Sequence, residues 1–172
     1  TITLLNTANF TTPATYTSET TPKTYSLAFD PDDSADALVV IFATECGSPS
    51  ASVTWGGVPM TRVFPLSGST PVGVYYLNNP ANLGLANVDV TISSGSGANV
   101  SGMGFNVMAL SNAGHLPIRP TAYRVQSGTA ADDNIPLVVP TDASFVVAGF
   151  SSNDNVNGSF ITTSANLTTL LK

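Results

Sequence analysis

Four carboxylates stand within seven residues at Asp30-Pro31-Asp32-Asp33-Ser34-Ala35-Asp36. Hard cations such as Ca²⁺ take several oxygens at short range, and closely spaced Asp residues in a tight loop supply them. Asp30, Asp32, Asp33 and Asp36 are therefore the candidate ligands of a structural Ca²⁺. The loop lacks the sixth-position Gly and the closing Glu of an EF-hand. Asp also caps nearby backbone amides, so an acidic turn is the plainer reading. Asp132-Asp133-Asn134 repeats the pattern more weakly. The second candidate chemistry is aromatic, because rings on an exposed sheet face stack on sugar C–H bonds. Tyr75 and Tyr76 are adjacent in a strand-like run and point to opposite faces, which makes them the candidate glycan residues. Tyr16, Tyr25 and Tyr123 stand behind them.

Catalytic constellations do not assemble. His115, the one histidine, sits in Asn112-Ala113-Gly114-His115-Leu116-Pro117 with no Gly-x-Ser-x-Gly elbow to serve. Nothing in the spacing pairs Glu45 with Glu19, Asp89 or Asp154 as a glycosidase dyad would need. Cys46 has no basic neighbour to lower its pKa, so an inert buried thiol is expected. The Asn-x-Ser/Thr sequons at Asn9, Asn99, Asn157 and Asn166 arise readily in a chain so rich in these residues. The expectation is a protein that is not an enzyme.

Composition narrows the partners. Charged residues are 9% of the 172, against roughly 25% in an ordinary domain, and Thr, Ser, Asn and Gly take their place. Five cations against eleven acids give a net charge of −6. Nucleic acid and anionic membranes both demand clustered cations, so neither is an expected partner. One His and one Cys cannot build a Cys/His zinc site or an intrachain disulfide. No apolar run approaches the roughly 20 residues of a membrane span. Residues 1–10 lack the basic start and apolar centre of a signal peptide, so cytosolic synthesis with removal of an initiator Met is favoured over cleavage of a longer precursor.

The elements that must position these residues are short strands punctuated by Gly, Pro, Asn, Asp and Ser. The spacing predicts strands at Ile2–Leu5, Thr24–Phe29, Ala37–Ala43, Ser52–Trp55, Val58–Phe64, Val72–Leu77, Ala86–Ser93 and Met103–Leu110. Further strands are expected at Ala122–Gln126, Ile135–Val139, Ser144–Phe150 and Leu167–Leu171. A helical turn fits Asn79–Leu85. The predicted class is all-β, an antiparallel sandwich of Greek-key or jelly-roll type. Val88, Val90 and Ile92 alternate with Asp89 and Thr91, giving one wet face. Leu38–Phe42 and Phe145–Ala148 are apolar on both faces and need a second cover, which a loop, another sheet or a partner subunit supplies. Each follows a strand and a Pro/Asp turn, as two stacked Greek keys would arrange. Gly56-Gly57 suits a two-residue hairpin turn, with Trp55 opposite Val58 and Val53 opposite Met60 in one apolar cluster. Residues 1–24, rich in Thr and Pro from Thr7 onward, are expected as an N-terminal arm or an extended strand or loop. Residues 25–172 are then a single sandwich domain.

Taken in order, Val53-Thr54-Trp55-Gly56-Gly57-Val58-Pro59-Met60-Thr61, Val74-Tyr75-Tyr76-Leu77-Asn78-Asn79-Pro80, Val88-Asp89-Val90-Thr91 and Phe105–Ala113 resemble a β-sandwich module of tailed-phage virion proteins and bacterial surface proteins. The resemblance spans about Leu27 to Phe150 and rests on structural motifs, with no catalytic residues attached. It implies a virion-exterior role as a capsid decoration or cement subunit, or a fibre, assembled in the host cytoplasm. A homo-oligomer, most simply a trimer, with capsid or other virion proteins as partners is the expected assembly. The alternative is a carbohydrate-binding or adhesin module of a secreted, cell-surface or tail-fibre protein, with host glycan as partner. The module would be expected to continue past Lys172, or to be completed by a strand from a neighbour.

Overall fold

The computed structural model describes residues 2–13, 15–46, 49–63, 66, 72–94 and 98–114. These form β1 (Thr3–Thr11), β2 (Glu19–Thr20), β3 (Lys23–Phe29), β4 (Ala37–Glu45), β5 (Pro49–Trp55), β6 (Val58–Pro59), β7 (Thr61–Arg62), β8 (Val72–Asn78), β9 (Ala86–Ser94), β10 (Asn99–Val100) and β11 (Gly102–Ser111). The class is all-β, as the short, turn-bounded apolar runs require. One sheet has the order β1-β11-β4-β8-β7, a second β3-β9-β5-β6, and β2 pairs with β10. Every pairing is antiparallel.

Alternation within the strands builds the layer between the two larger sheets. Leu38, Val40 and Phe42 of β4, Phe105 and Val107 of β11 and Tyr75 of β8 meet Tyr25, Val53, Trp55, Val88, Val90 and Ile92 of the four-stranded sheet. The opposite face of the four-stranded sheet is the wet one. There the Thr24 and Thr91 hydroxyls bond each other at 2.8 Å, and the Ser26 hydroxyl donates to Asp89. A second apolar cluster lies on the outer face of the five-stranded sheet: Ala37, Val39, Ile41, Met108 and Leu110. The doubly apolar run of β4 is thus buried on both sides. Phe145–Ala148, and the predicted strands from Ala122 onward, lie outside the described residues.

Three expectations are corrected. The strand predicted over Val58–Phe64 is two pieces in different sheets. Met60 closes the β5–β6 hairpin, its N–H bonding Val53 O at 2.9 Å, and the next residue, Thr61, already pairs with Tyr76 of β8 in the other sheet. The helical turn at Asn79–Leu85 does not form. Asn79 takes a φ of 49°, and Asn82 Oδ1 accepts the Gly84 N–H at 2.9 Å in an Asx turn. The first strand runs on to Thr11, so this part of the 1–24 segment is the edge of the five-stranded sheet. Its register on β11 slips between Leu4 and Asn6, and this bulge resets the alternation so that Ala8 and Phe10 face the core.

Asn6 fastens that edge to the other sheet. Its Nδ2 donates to Asp30 O at 2.6 Å and its Oδ1 accepts the Thr7 N–H at 2.9 Å. Asn6→Ala is expected to cost about 1 kcal/mol, the net worth of exposed hydrogen bonds of this kind. Urea unfolding checks it, and a midpoint equal to that of the unsubstituted chain would contradict it.

Candidate functional site

The Asp30–Asp36 loop uses its carboxylates one at a time. Asp32, at a φ of 85°, accepts the Ser34 N–H at 2.8 Å and the Ser34 hydroxyl at 2.7 Å on Oδ1. These donors hold its carboxyl below the usual carboxylate range. Asp36 turns away, its Oδ1 accepting the Ala113 N–H at 2.9 Å beyond the end of β11. Asp33 is exposed, and Asp30 Oδ1 faces the Asp32 N–H at 3.5 Å. Among the described residues no three His, Cys, Asp or Glu side chains come together to hold a metal ion. The candidate Ca²⁺ ligands Asp30, Asp32, Asp33 and Asp36 thus do not converge on one point, and the loop is laid out as an acidic turn.

The glycan candidates divide. Tyr75 faces the inner core at 3% exposure, its ring 6.0 Å from Phe42 and its hydroxyl donating to Ala51 O at 2.8 Å. Burial pushes that hydroxyl's pKa up. A ring so enclosed has no face to offer a sugar, so Tyr75 is withdrawn as a glycan residue. Tyr76 points the other way and packs against the outer apolar cluster, half-buried. Trp55 is 1% exposed, edge-on to Phe29 with centroids 6.1 Å apart, and its Nε1–H bonds Asn82 O at 3.1 Å. The Gly-Gly turn forms with φ of 52° and 83° at Gly56 and Gly57, and Trp55 opposes Val58. Val53, Trp55 and Met60 join the core, while Val58 remains 46% exposed.

The other reactive groups are spread apart. Cys46 is buried. Tyr16 and Tyr25 share a hydroxyl–hydroxyl bond of 2.7 Å, and burial, followed by that bond, pushes Tyr25 up. Lys23 pairs with Glu19, which raises the ammonium's pKa. Glu45 is exposed at the end of β4, and Asp89 is engaged by Ser26 on the wet face. His115, Tyr123, Asp132, Asp133 and Asp154 lie outside the described residues.

One surface that sequence reasoning passed over is the edge of β1. It is nine residues long, TLLNTANFT, without charge or Pro. Thr12 N–H bonds Met103 O at 2.9 Å, so by antiparallel alternation Phe10 and Ala8 also face β11. Asn9 and Thr11 then turn their N–H and C=O groups outward. Among the described residues no strand lies beyond it. By contrast β6 and β7, the edges on the other side, are two residues each and carry Pro59 and Arg62. The signal available in the sequence was the Ala8/Phe10 alternation, hidden by the bulge. Compared with protein-family models, curated proteins and solved structures, the chain gives no significant match.

Proposed function

We propose that this chain is a non-enzymatic structural subunit of a phage virion, a capsid decoration or cement protein that holds its place by strand-to-strand adhesion. The virion assignment follows the resemblance of the Trp55 hairpin, the Tyr75–Pro80 strand end and the Val88–Thr91 strand to virion modules. The adhesive mechanism is carried by the edge of β1, whose outward backbone groups can extend a sheet from a neighbouring molecule. A surface with few charges makes such contacts less sensitive to salt than ion pairs would be. Contacts of one edge with a different surface of the next copy make a ring when the rotation between copies closes, and a trimer is the expected order. With Tyr75 in the core, the carbohydrate-binding reading loses one of its two leading residues and rests first on Tyr76, which favours adhesion.

Asn9→Lys tests this, because a cation on an edge strand blocks pairing. The full chain is expected to run as a closed oligomer by light scattering at micromolar concentration. The variant is expected to be monomeric, with an unchanged far-UV circular dichroism spectrum and lost occupancy on particles. A monomeric parent chain whose Asn9→Lys variant binds particles equally well would defeat the proposal. Glycan affinity in such a monomer, lost in Tyr76→Ala, would favour the adhesin alternative.

A further inference from the structure

We infer that the Asp30–Pro31 peptide bond cuts itself, with the Asp30 carboxyl as nucleophile and Asn6 as the donor to the oxygen that gains charge. The inference is independent of the adhesive reading, and the reaction is a single turnover on the chain's own backbone. This is the chain's one Asp-Pro bond. Carboxyl groups of Asp serve as nucleophiles in covalent catalysis. Here the carboxyl reaches its own carbonyl carbon by closing a small ring, so no encounter between separate molecules is needed. Proline makes the amide tertiary, and its nitrogen leaves as a secondary amine.

The geometry places each group. Asn6 Nδ2, on β1 of the five-stranded sheet, donates to Asp30 O at 2.6 Å, and that oxygen belongs to the scissile bond. The Asn6 amide is oriented for this by its Oδ1, which accepts the Thr7 N–H at 2.9 Å. Asp30 Oδ1 lies 3.5 Å from the Asp32 nitrogen. The ring closed by that contact runs through the Asp30–Pro31 bond, so the carboxyl lies on the side of the bond it would attack. At 3.5 Å the oxygen is held only loosely. The Asp32 carboxylate, by contrast, is engaged by Ser34, and that of Asp36 by the Ala113 N–H. Phe29 and Pro31 are buried while Asp30 is exposed. The scissile bond is thus clamped at both ends, with its nucleophile open to water.

In the reaction an oxygen of the undissociated Asp30 carboxyl adds to the Asp30 carbonyl carbon. Negative charge develops on the oxygen that Asn6 Nδ2 faces, where a fixed donor stabilises it. The carboxyl proton passes to Pro31 N, the C–N bond breaks and a cyclic anhydride of Asp30 remains. Water opens the anhydride, restoring the side-chain carboxyl and leaving a second carboxyl at Asp30 and an amine at Pro31. The net change is hydrolysis of one peptide bond, with water as the only co-reactant. The donor comes from β1 and the nucleophile from the end of β3, so only the folded chain brings them together. After the cut, β1 stays paired with β11 and β3 with β9.

The full chain is held in mildly acidic buffer, either folded, as far-UV circular dichroism verifies, or unfolded in urea. Fragments 1–30 and 31–172 are then quantified by mass spectrometry. The folded chain is expected to cut at least about tenfold faster than the unfolded one, a modest share of what positioning supplies. An equal or slower rate in the folded chain would overturn the inference. Asp30→Asn is expected to abolish the cut, and a cut that persists in it would overturn the assigned nucleophile. Asn6→Ala, folded by the same spectrum, is expected to cut at least about tenfold more slowly for want of its donor. The parent rate in that variant would overturn the role of Asn6. Asp33→Asn changes the charge of the loop while leaving both groups in place, and is expected to cut at the parent rate. A loss there as large as in Asn6→Ala would assign the effect to loop charge and count against the inference. Should Asn6→Ala not fold, the comparison of folded and unfolded parent chain decides alone.

Discussion

Trp55→Ala is expected to lower the unfolding free energy by about 3–5 kcal/mol, the range for removing a large buried aromatic. The ring is closed off from water, meets Phe29 edge-on and ends in a hydrogen bond to Asn82 O. The loss therefore combines transfer free energy, a cavity between the sheets and a carbonyl deprived of its donor. Trp55→Phe keeps most of the packing and removes the Nε1–H, and is expected to cost about 1 kcal/mol for the missing bond, apart from any volume change. Urea unfolding followed by far-UV circular dichroism measures both, since the substitutions remove the chain's one tryptophan. Equal costs for Ala and Phe would mean that the ring itself contributes little.

The second large effect comes from adding atoms. Gly73 on β8 sits opposite Phe42 on β4, and the Phe42 ring lies across it so closely that a Cβ would meet Cε1 at 2.2 Å and Cζ at 2.4 Å. The ring cannot swing clear, being 1% exposed and stacked on Tyr75. Gly73→Ala is expected to cost about 1–3 kcal/mol, as overpacking of a filled core does. Phe42→Leu in the same chain shortens the obstructing side chain. The double variant should be more stable than the sum of the two single effects implies, by about 1 kcal/mol or more. Strict additivity in the urea series would show that the glycine is not held by the ring.

The β-class and the central strands were legible because burial wrote them in apolar patterns: the alternation of Val88, Val90 and Ile92, and the unbroken run of Leu38–Phe42. The Trp55 hairpin was legible because Gly56 and Gly57 both adopt positive φ, which glycine takes freely. The features that stayed hidden are departures from simple period. The bulge at Leu5 masks the second half of β1, and a single residue, Met60, carries the chain from one sheet to the other. The adjacent tyrosines show only that their faces differ, and which one turns inward depends on register against β4. The Asp30–Asp36 loop illustrates the limit of composition. Carboxylates around a cation and carboxylates capping amides share one sequence, and the direction of Asp36 toward Ala113 separates them.

The pairing of β1 with β11 has a consequence for how the molecule is made. β1 leaves the ribosome about a hundred residues ahead of its partner, Thr3 against Ser111 and Thr11 against Gly104. At synthesis rates of roughly 5–20 residues per second, that wait is roughly 5–20 s. Throughout it, Leu4, Leu5 and Phe10 have no sheet to join, and non-local pairings of this kind are slow to close and exposed to aggregation while they remain open. An uncharged first strand is then a hazard on both of its edges, one of which folding removes only once β11 has been made.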